Sequence, residues 1–147
     1  MIRFIRTSLA VFTIVFLTNT LAFCAEEVSI NLATISTIES SNNDEAYNEY
    51  SQARGRYQIT PICLADYNQY HKDKIHLNQL YIREYNERVA SWYFNKRIPQ
   101  LLKHYKLTDT VEHRLIAYNA GISYLIKHKT IPTETKNYIV KYNRLTK

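Results

Sequence analysis

Val28, Leu32, Ile35 and Glu39 fall at i, i+4, i+7 and i+11, the repeat of a single helical face. The spacing predicts a first helix whose inward stripe ends on a carboxylate. Partial burial there would raise the pKa of the acid, although periodicity by itself favours a surface glutamate just past the packed turns. Ser40-Ser41-Asn42-Asn43-Asp44 then breaks the helix with side chains that bond their own backbone. Thr60-Pro61 reads as a helix start, with Thr as N-cap and Pro at the first helical position. That helix should reach about Tyr70 and turn Leu64 and Tyr67 inward. After a polar stretch holding His71, Lys72, Asp73, Lys74 and His76, a longer helix is predicted from about Leu80 to Ile98. Tyr85, Val89 and Trp92 share one face of it, with Ile82 and Tyr93 beside them. Pro99 should end or kink it before a further turn or two at Leu101, Leu102 and Tyr105. Thr108 or Asp109 is expected to cap the next helix, which turns Val111, Leu115 and Tyr118 inward and stops or bends at Gly121. A short helix to about Lys129 follows. Pro132-Thr133-Glu134-Thr135 opens the last one, which carries Tyr138, Ile139 and Tyr142.

Composition narrows the fold. Two glycines and three prolines in 147 residues are too few for a turn-rich β-sandwich or barrel. Neither a repeat nor a linker divides the chain, so the prediction is one compact all-α domain. In so glycine-poor a chain, Gly55 and Gly121 should each mark a positive φ or a close backbone approach. The thirteen tyrosines are an excess that serves either as core or as stacking platforms for sugars.

The amino terminus speaks to compartment. Arg3 and Arg6 precede a short apolar run from Leu9 to Leu17, and LAFCA offers small residues for cleavage, so residues 1–25 read as a signal peptide and 26–147 as the domain. The run is too short for a comfortable membrane span, and no stable membrane insertion is expected after cleavage. Phe23 before Cys24 argues against lipidation. Cys63 is then the one cysteine left, so no internal disulfide can form; between Ile62 and Leu64 it reads as a small core residue. Loss of Arg3 and Arg6 lowers the formal charge from +6 to +4, which suits an anionic polymer such as a bacterial wall or a nucleic acid. Export and the lack of a clustered basic stripe argue against nucleic acid. His71 and His76 lack a partner set, so neither a metal nor an organic cofactor is expected.

Several stretches agree in order and spacing with one family. Ile38-Glu39-Ser40 is followed by Ala53-Arg54-Gly55-Arg56-Tyr57-Gln58-Ile59-Thr60-Pro61, then Ala90-Ser91-Trp92-Tyr93-Phe94, then Ala117-Tyr118-Asn119-Ala120-Gly121, and last Pro132-Thr133-Glu134-Thr135-Lys136-Asn137-Tyr138-Ile139. This series resembles the catalytic domain of the soluble lytic transglycosylases, a lysozyme-like helical fold acting on bacterial peptidoglycan, over about Leu32 to Tyr142. The resemblance implies that Glu39 is the single acid/base. It places Gly55 and Gln58 in the turn lining the cleft and Tyr57 where many members carry a methionine beside the substrate. Tyr118 and Asn119 take the positions facing the catalytic carboxyl, and Glu134, Thr135 and Tyr138 match a closing motif read mainly as scaffold. Two positions depart from the family. Gln52 stands where the first glycine of Gly-Ala-x-Gly is usual, and Glu49 stands where a serine near the acid is usual, with Ser51 close enough to substitute. A Glu49 facing Glu39 would raise the pKa of the acid further, or supply a second carboxylate.

Glycoside cleavage usually needs two carboxylates, and the sequence offers one well-placed Glu. The resemblance implies a substrate-assisted route. The N-acetyl group of N-acetylmuramic acid (MurNAc) stabilises the charge at C1, Glu39 protonates the leaving oxygen, and the C6 hydroxyl then closes a 1,6-anhydro ring. Ser51, Tyr57, Gln58, Tyr118 and Asn119 are the expected substrate-binding residues. Without the resemblance, Tyr118 reads as core, Asn119 as a C-cap, Gln58 as a turn residue, and Arg54 and Arg56 as solvated surface. The expected partner is the glycan strand of peptidoglycan (between MurNAc and N-acetylglucosamine, GlcNAc), met by a monomer in the periplasm or cell wall. A secretion or conjugation apparatus is a candidate further partner. The alternatives are a lysozyme-like muramidase and a non-catalytic wall-binding module.

Overall fold

The computed structural model describes residues 28–127 and 130–147; the expected signal peptide and the end of the expected short helix at Lys129 lie outside the described residues. Helices follow one another from α1 (Leu32–Ser40) through α2 (Pro61–His71), α3 (Arg83–Trp92), α4 (Ile98–His104), α5 (Val111–Ile116) and α6 (Ser123–Ile126) to α7 (Thr133–Leu145). A 3-10 turn at Leu77–Tyr81 leads into α3, and two π-helical turns, Tyr93–Arg97 and Ala117–Gly121, follow α3 and α5. Among the described residues there is no β-strand, only isolated bridges that join Arg54 to Tyr47 and Ile59. The fold is the expected all-α, lysozyme-like one.

Helix starts follow the local chemistry. Asn31 caps α1 by accepting from the Thr34 N–H at 3.1 Å, and Thr60 caps α2 by accepting from the Cys63 N–H at 3.2 Å. The cap of α5 is Thr110, which accepts from the His113 N–H at 3.1 Å, in place of the expected Thr108 or Asp109. Asp109 is engaged elsewhere, in a two-pronged pair with the buried Arg114 at 2.7 and 2.8 Å. The long helix expected from Leu80 to Ile98 is broken at its start, where Ile82 is extended (φ −90°, ψ 120°) and 47% exposed. At its far end Pro99 does not end the helical path. The π turn at Tyr93–Arg97 widens the backbone, with the Ile98 N–H donating to the Tyr93 carbonyl. The proline, which has no N–H to give, is thereby carried inside a helical path that runs on to His104.

The core is formed where these helices meet. Ile35, Leu80, Val89, Phe94, Ile98, Leu102 and Leu115 are sealed from solvent, and Leu64, Tyr67, Tyr138 and Tyr142 close around them. Helices α1 and α7 run in opposite directions, because the Asn31 N–H donates to the Tyr142 hydroxyl at 2.8 Å while Glu39, at the other end of α1, meets Tyr138.

The segment between α1 and α2 has little apolar content of its own and is tied to α3 by polar side chains. Asp44 accepts from Arg56 at 2.7 Å and from Arg83 at 3.0 Å, and these two guanidinium groups hold its carboxyl down to about 2. Arg56 is thus a structural residue of the loop. The central tie is Asn86, fully buried on α3. Its Oδ1 accepts from the Tyr57 N–H, and its Nδ2 donates to the carbonyls of Arg54 and Leu80, all at 2.8 Å. Gly55 lies in the crook of these bonds with φ +73°, and a Cβ there would stand 2.2 Å from the Leu80 oxygen and 2.4 Å from Asn86 Nδ2. Conformation and space both demand glycine. Gln52, in the place of the family's first glycine, keeps the left-handed backbone at φ 56°.

Gly55→Ala is expected to cost roughly 3 kcal/mol or more, from the positive φ and the clash together. Asn86→Ala is expected to cost about 3 kcal/mol, since it strands the buried Tyr57 N–H and Leu80 carbonyl, while the Arg54 carbonyl keeps its bond from the Ile59 N–H. Urea unfolding measures both, and an Asn86→Ala protein as stable as the wild type would contradict the role given to this side chain.

Candidate active site

Glu39 ends α1 and opens onto a cleft of about 1010 Å³. One wall is the polar loop with Asn48, Ser51 and Gln58; another is the π turn Ala117–Gly121; the third is one face of α7. The carboxyl is half-buried, and Tyr138 donates its hydroxyl to Oε1 at 2.8 Å. Burial pushes the Glu39 carboxyl up to about 7. The Tyr138 bond opposes that rise and the nearby Glu134 carboxylate adds to it, so the loss of water outweighs the one hydrogen bond. Burial, with the charge of Glu39, keeps the Tyr138 phenol protonated far above its ordinary range, so it stays a donor.

Among the expected site residues, Glu39, Ser51, Gln58, Tyr118 and Asn119 all line this one cleft. Tyr57 does not: its ring is only 3% exposed and belongs to the core. The Asn86 bond to the Tyr57 N–H fixes the backbone so that the ring turns inward and the carbonyl faces Tyr118, which donates its hydroxyl to it. Tyr118 therefore braces the loop against the π turn, stacked on Phe94 at 4.2 Å between ring centres. The tyrosine bonded to Glu39 is Tyr138 instead, a residue that the sequence offers mainly as scaffold. Its position four residues before Tyr142 on the inward stripe of α7 was the available signal.

The other polar groups are partly committed to the fold. Gln58 (φ 50°) donates Nε2 to the Gly55 carbonyl at 3.0 Å, which leaves its Oε1 for the cleft. Asn119 accepts from Thr135 at 2.7 Å, so its carboxamide N–H groups are what it can offer. Ser51 is exposed, at a loop tip closed by Asn48, whose Oδ1 accepts from the Tyr50 and Ser51 N–H groups. Glu49 on the same tip is exposed and outside the cleft; the like charge that acts on Glu39 comes from Glu134 across the cleft. Cys63 lies at the cleft floor, 8% exposed, and burial drives its thiol far up, away from any thiolate chemistry. Among the described residues no three His, Cys, Asp or Glu side chains gather as a metal set.

A half-buried acid near the end of α1 thus faces a π turn and α7 across an open cleft. A family model for the transglycosylase SLT domain matches residues 24–140. The chain belongs to that family. The SLT domain is that of the lytic transglycosylases, so the function is of the lytic transglycosylase type, the substrate is peptidoglycan, and the action lies outside the cytoplasm. No curated protein and no solved structure matches the chain. No helix among the described residues is long and apolar enough to cross a membrane.

The raised acid has a measurable signature in stability. With a folded pKa of about 7 against an ordinary 4.5, Glu39 contributes fully below the lower value, and the contribution is lost as pH rises through the upper one. Glu39→Gln mimics the protonated acid at every pH. It is expected to match the wild type in thermal unfolding at acid pH and to exceed it by on the order of 3 kcal/mol near pH 8. An identical gap at both pH values would mean that the carboxyl is not raised.

Proposed function

We propose that this SLT domain cleaves the bond between MurNAc and GlcNAc in peptidoglycan and leaves a 1,6-anhydro-MurNAc end, with Glu39 as the one acid and base. The observation that carries the reading is the half-buried Glu39 carboxyl, raised to about 7 and held by Tyr138 in an open cleft. Near neutral pH such a group is present in both forms, which suits a residue that must give a proton and take one back. Protonated Glu39 donates to the glycosidic oxygen as the C1–O bond breaks. The substrate's own N-acetyl oxygen stabilises the charge left at C1. Glu39, now a carboxylate, removes the proton of the C6 hydroxyl, and that oxygen bonds to C1. No water is consumed, and the enzyme returns to its starting state.

In this reading Gln58 Oε1 accepts from a sugar hydroxyl or amide N–H, and the Asn119 N–H groups donate to an acetamido oxygen. Ser51 contributes from the loop tip, and Tyr118 positions the loop while Tyr138 orients the carboxyl. Glu134 supports a second reading. It is a carboxylate lining the same cleft, and a lysozyme-like muramidase would use it as the second acid group. Export through the leader at 1–25 to the periplasm or wall belongs to the proposal.

Mass spectrometry of muropeptides released from purified peptidoglycan by residues 26–147, with Glu39→Gln in parallel, separates the readings. The expected products are one water lighter than hydrolytic ends and absent from the Glu39→Gln reaction. Reducing ends that disappear in Glu134→Gln would establish hydrolysis instead. No products, with wall binding kept, would leave a binding module.

A further inference from the structure

Helix α7 presents Glu134, Asn137, Tyr138 and Lys141 to the cleft, at i, i+3, i+4 and i+7 on one helical face. Tyr138 fixes the register of that face through its bond to Glu39. Lys141 follows one turn later, about 4.5 Å further along the axis. It is exposed, and among the described residues no carboxylate lies within ion-pair distance of it. It is also the one cationic side chain among the described residues that line the cleft. Arg56 and Arg83 are engaged with Asp44 and Arg97 with Asp66, while Arg54 donates to the Gln52 carbonyl and lies over the Tyr47 ring. A lysine in solvent needs no ligand. What distinguishes this one is its place in a cleft that also holds Glu39 and Glu134, on the far side of Tyr138 from Glu134.

Resting on the reading that Glu39 cleaves at a muramic acid, we propose that Lys141 is a specificity residue that binds a carboxylate on the 3-substituent of that same sugar. The substituent is the lactyl group with its peptide stem, which carries free α-carboxylates. Glu134, on the opposite side of Tyr138, repels such a group, so the two charges of α7 favour one direction for the stem along the helix. The ammonium makes a point-charge contact that tolerates varied stem geometry. Where the stem has been removed, the lactyl group itself ends in a carboxylate, the same chemistry from a second source.

The test compares wild type, Lys141→Ala and Lys141→Arg on three preparations of soluble glycan strands: stems with free carboxylates, stems with those carboxylates amidated, and strands stripped by an amidase. For the stem as source, wild type should show a KM lower by roughly 2- to 5-fold on free-carboxylate stems than on the other two, the worth of one solvated ion pair. Lys141→Ala should abolish that preference at little change in kcat, and Lys141→Arg should restore most of it. A preference of wild type for stripped over amidated strands, lost in Lys141→Ala, would assign the contact to the lactyl carboxylate. Equal KM ratios in wild type and Lys141→Ala on all three preparations would overturn the inference while leaving the cleavage reading intact. No turnover of any strand by wild type would remove the reading beneath it.

Discussion

The hydrogen bond from Tyr138 to Glu39 joins α1 to α7, and the chemistry of the cleft depends on it. Without the bond, Glu39 would be a carboxyl lowered into an apolar seam with nothing to orient it. With it, the carboxyl is half-buried and still faces the cleft. Burial raises its pKa and the phenol restrains the rise, and the balance falls near neutrality. The remaining architecture serves this contact. The Asn31–Tyr142 bond sets the crossing of α1 and α7 at its other end, and the buried rows on both helices hold the crossing fixed.

The second wall of the cleft is held by a different kind of interaction. A loop poor in apolar residues cannot fold by burial alone, so one buried carboxamide, Asn86, meets three of its backbone groups and fixes it on α3. Gly55 is a consequence of that choice, since no side chain fits between the loop and Asn86. The positive φ values at Gln52 and Gln58 show the same segment accepting local strain in exchange for its path around the cleft. Another wall is a π turn, which widens the helix after α5, and Tyr118 and Asn119 both line the cleft from it.

Local rules were enough to read much of this from the residues. The all-α fold, the Thr60-Pro61 start, the positive φ at Gly55 and Gly121, and the inward stripe through Ile35 to Glu39 rest on near neighbours in the chain, which caps and periodicity describe well. What escaped involves distant partners or one extra backbone unit. Pro99 carries a helix-ending signal, yet a π turn just before it absorbs the missing donor. Asp109 resembles a cap, but Arg114 claims it. Asn86 gives no sign in the sequence that it is buried, because its partners lie up to 32 residues away. Tyr57 was placed beside the substrate by analogy with its family position, whereas the bond at its N–H turns the ring into the core. Glu134, expected mainly as scaffold, takes the place beside Glu39 that Glu49 was a candidate for, for the same reason. Which carboxylate approaches Glu39 is decided by where the loop tip and α7 settle, not by distance along the chain.

The central claim is that one carboxyl, Glu39, is poised near neutral pH by its place between α1 and α7. The most direct test is an NMR titration of the Glu39 side-chain carboxyl carbon in protein labelled with carbon-13 at glutamate, assigned by its absence in Glu39→Gln. The account predicts a midpoint near 7. A Glu39 midpoint at the ordinary value near 4.5 would contradict the account, because the acid would be ionised at the pH where it must donate its proton.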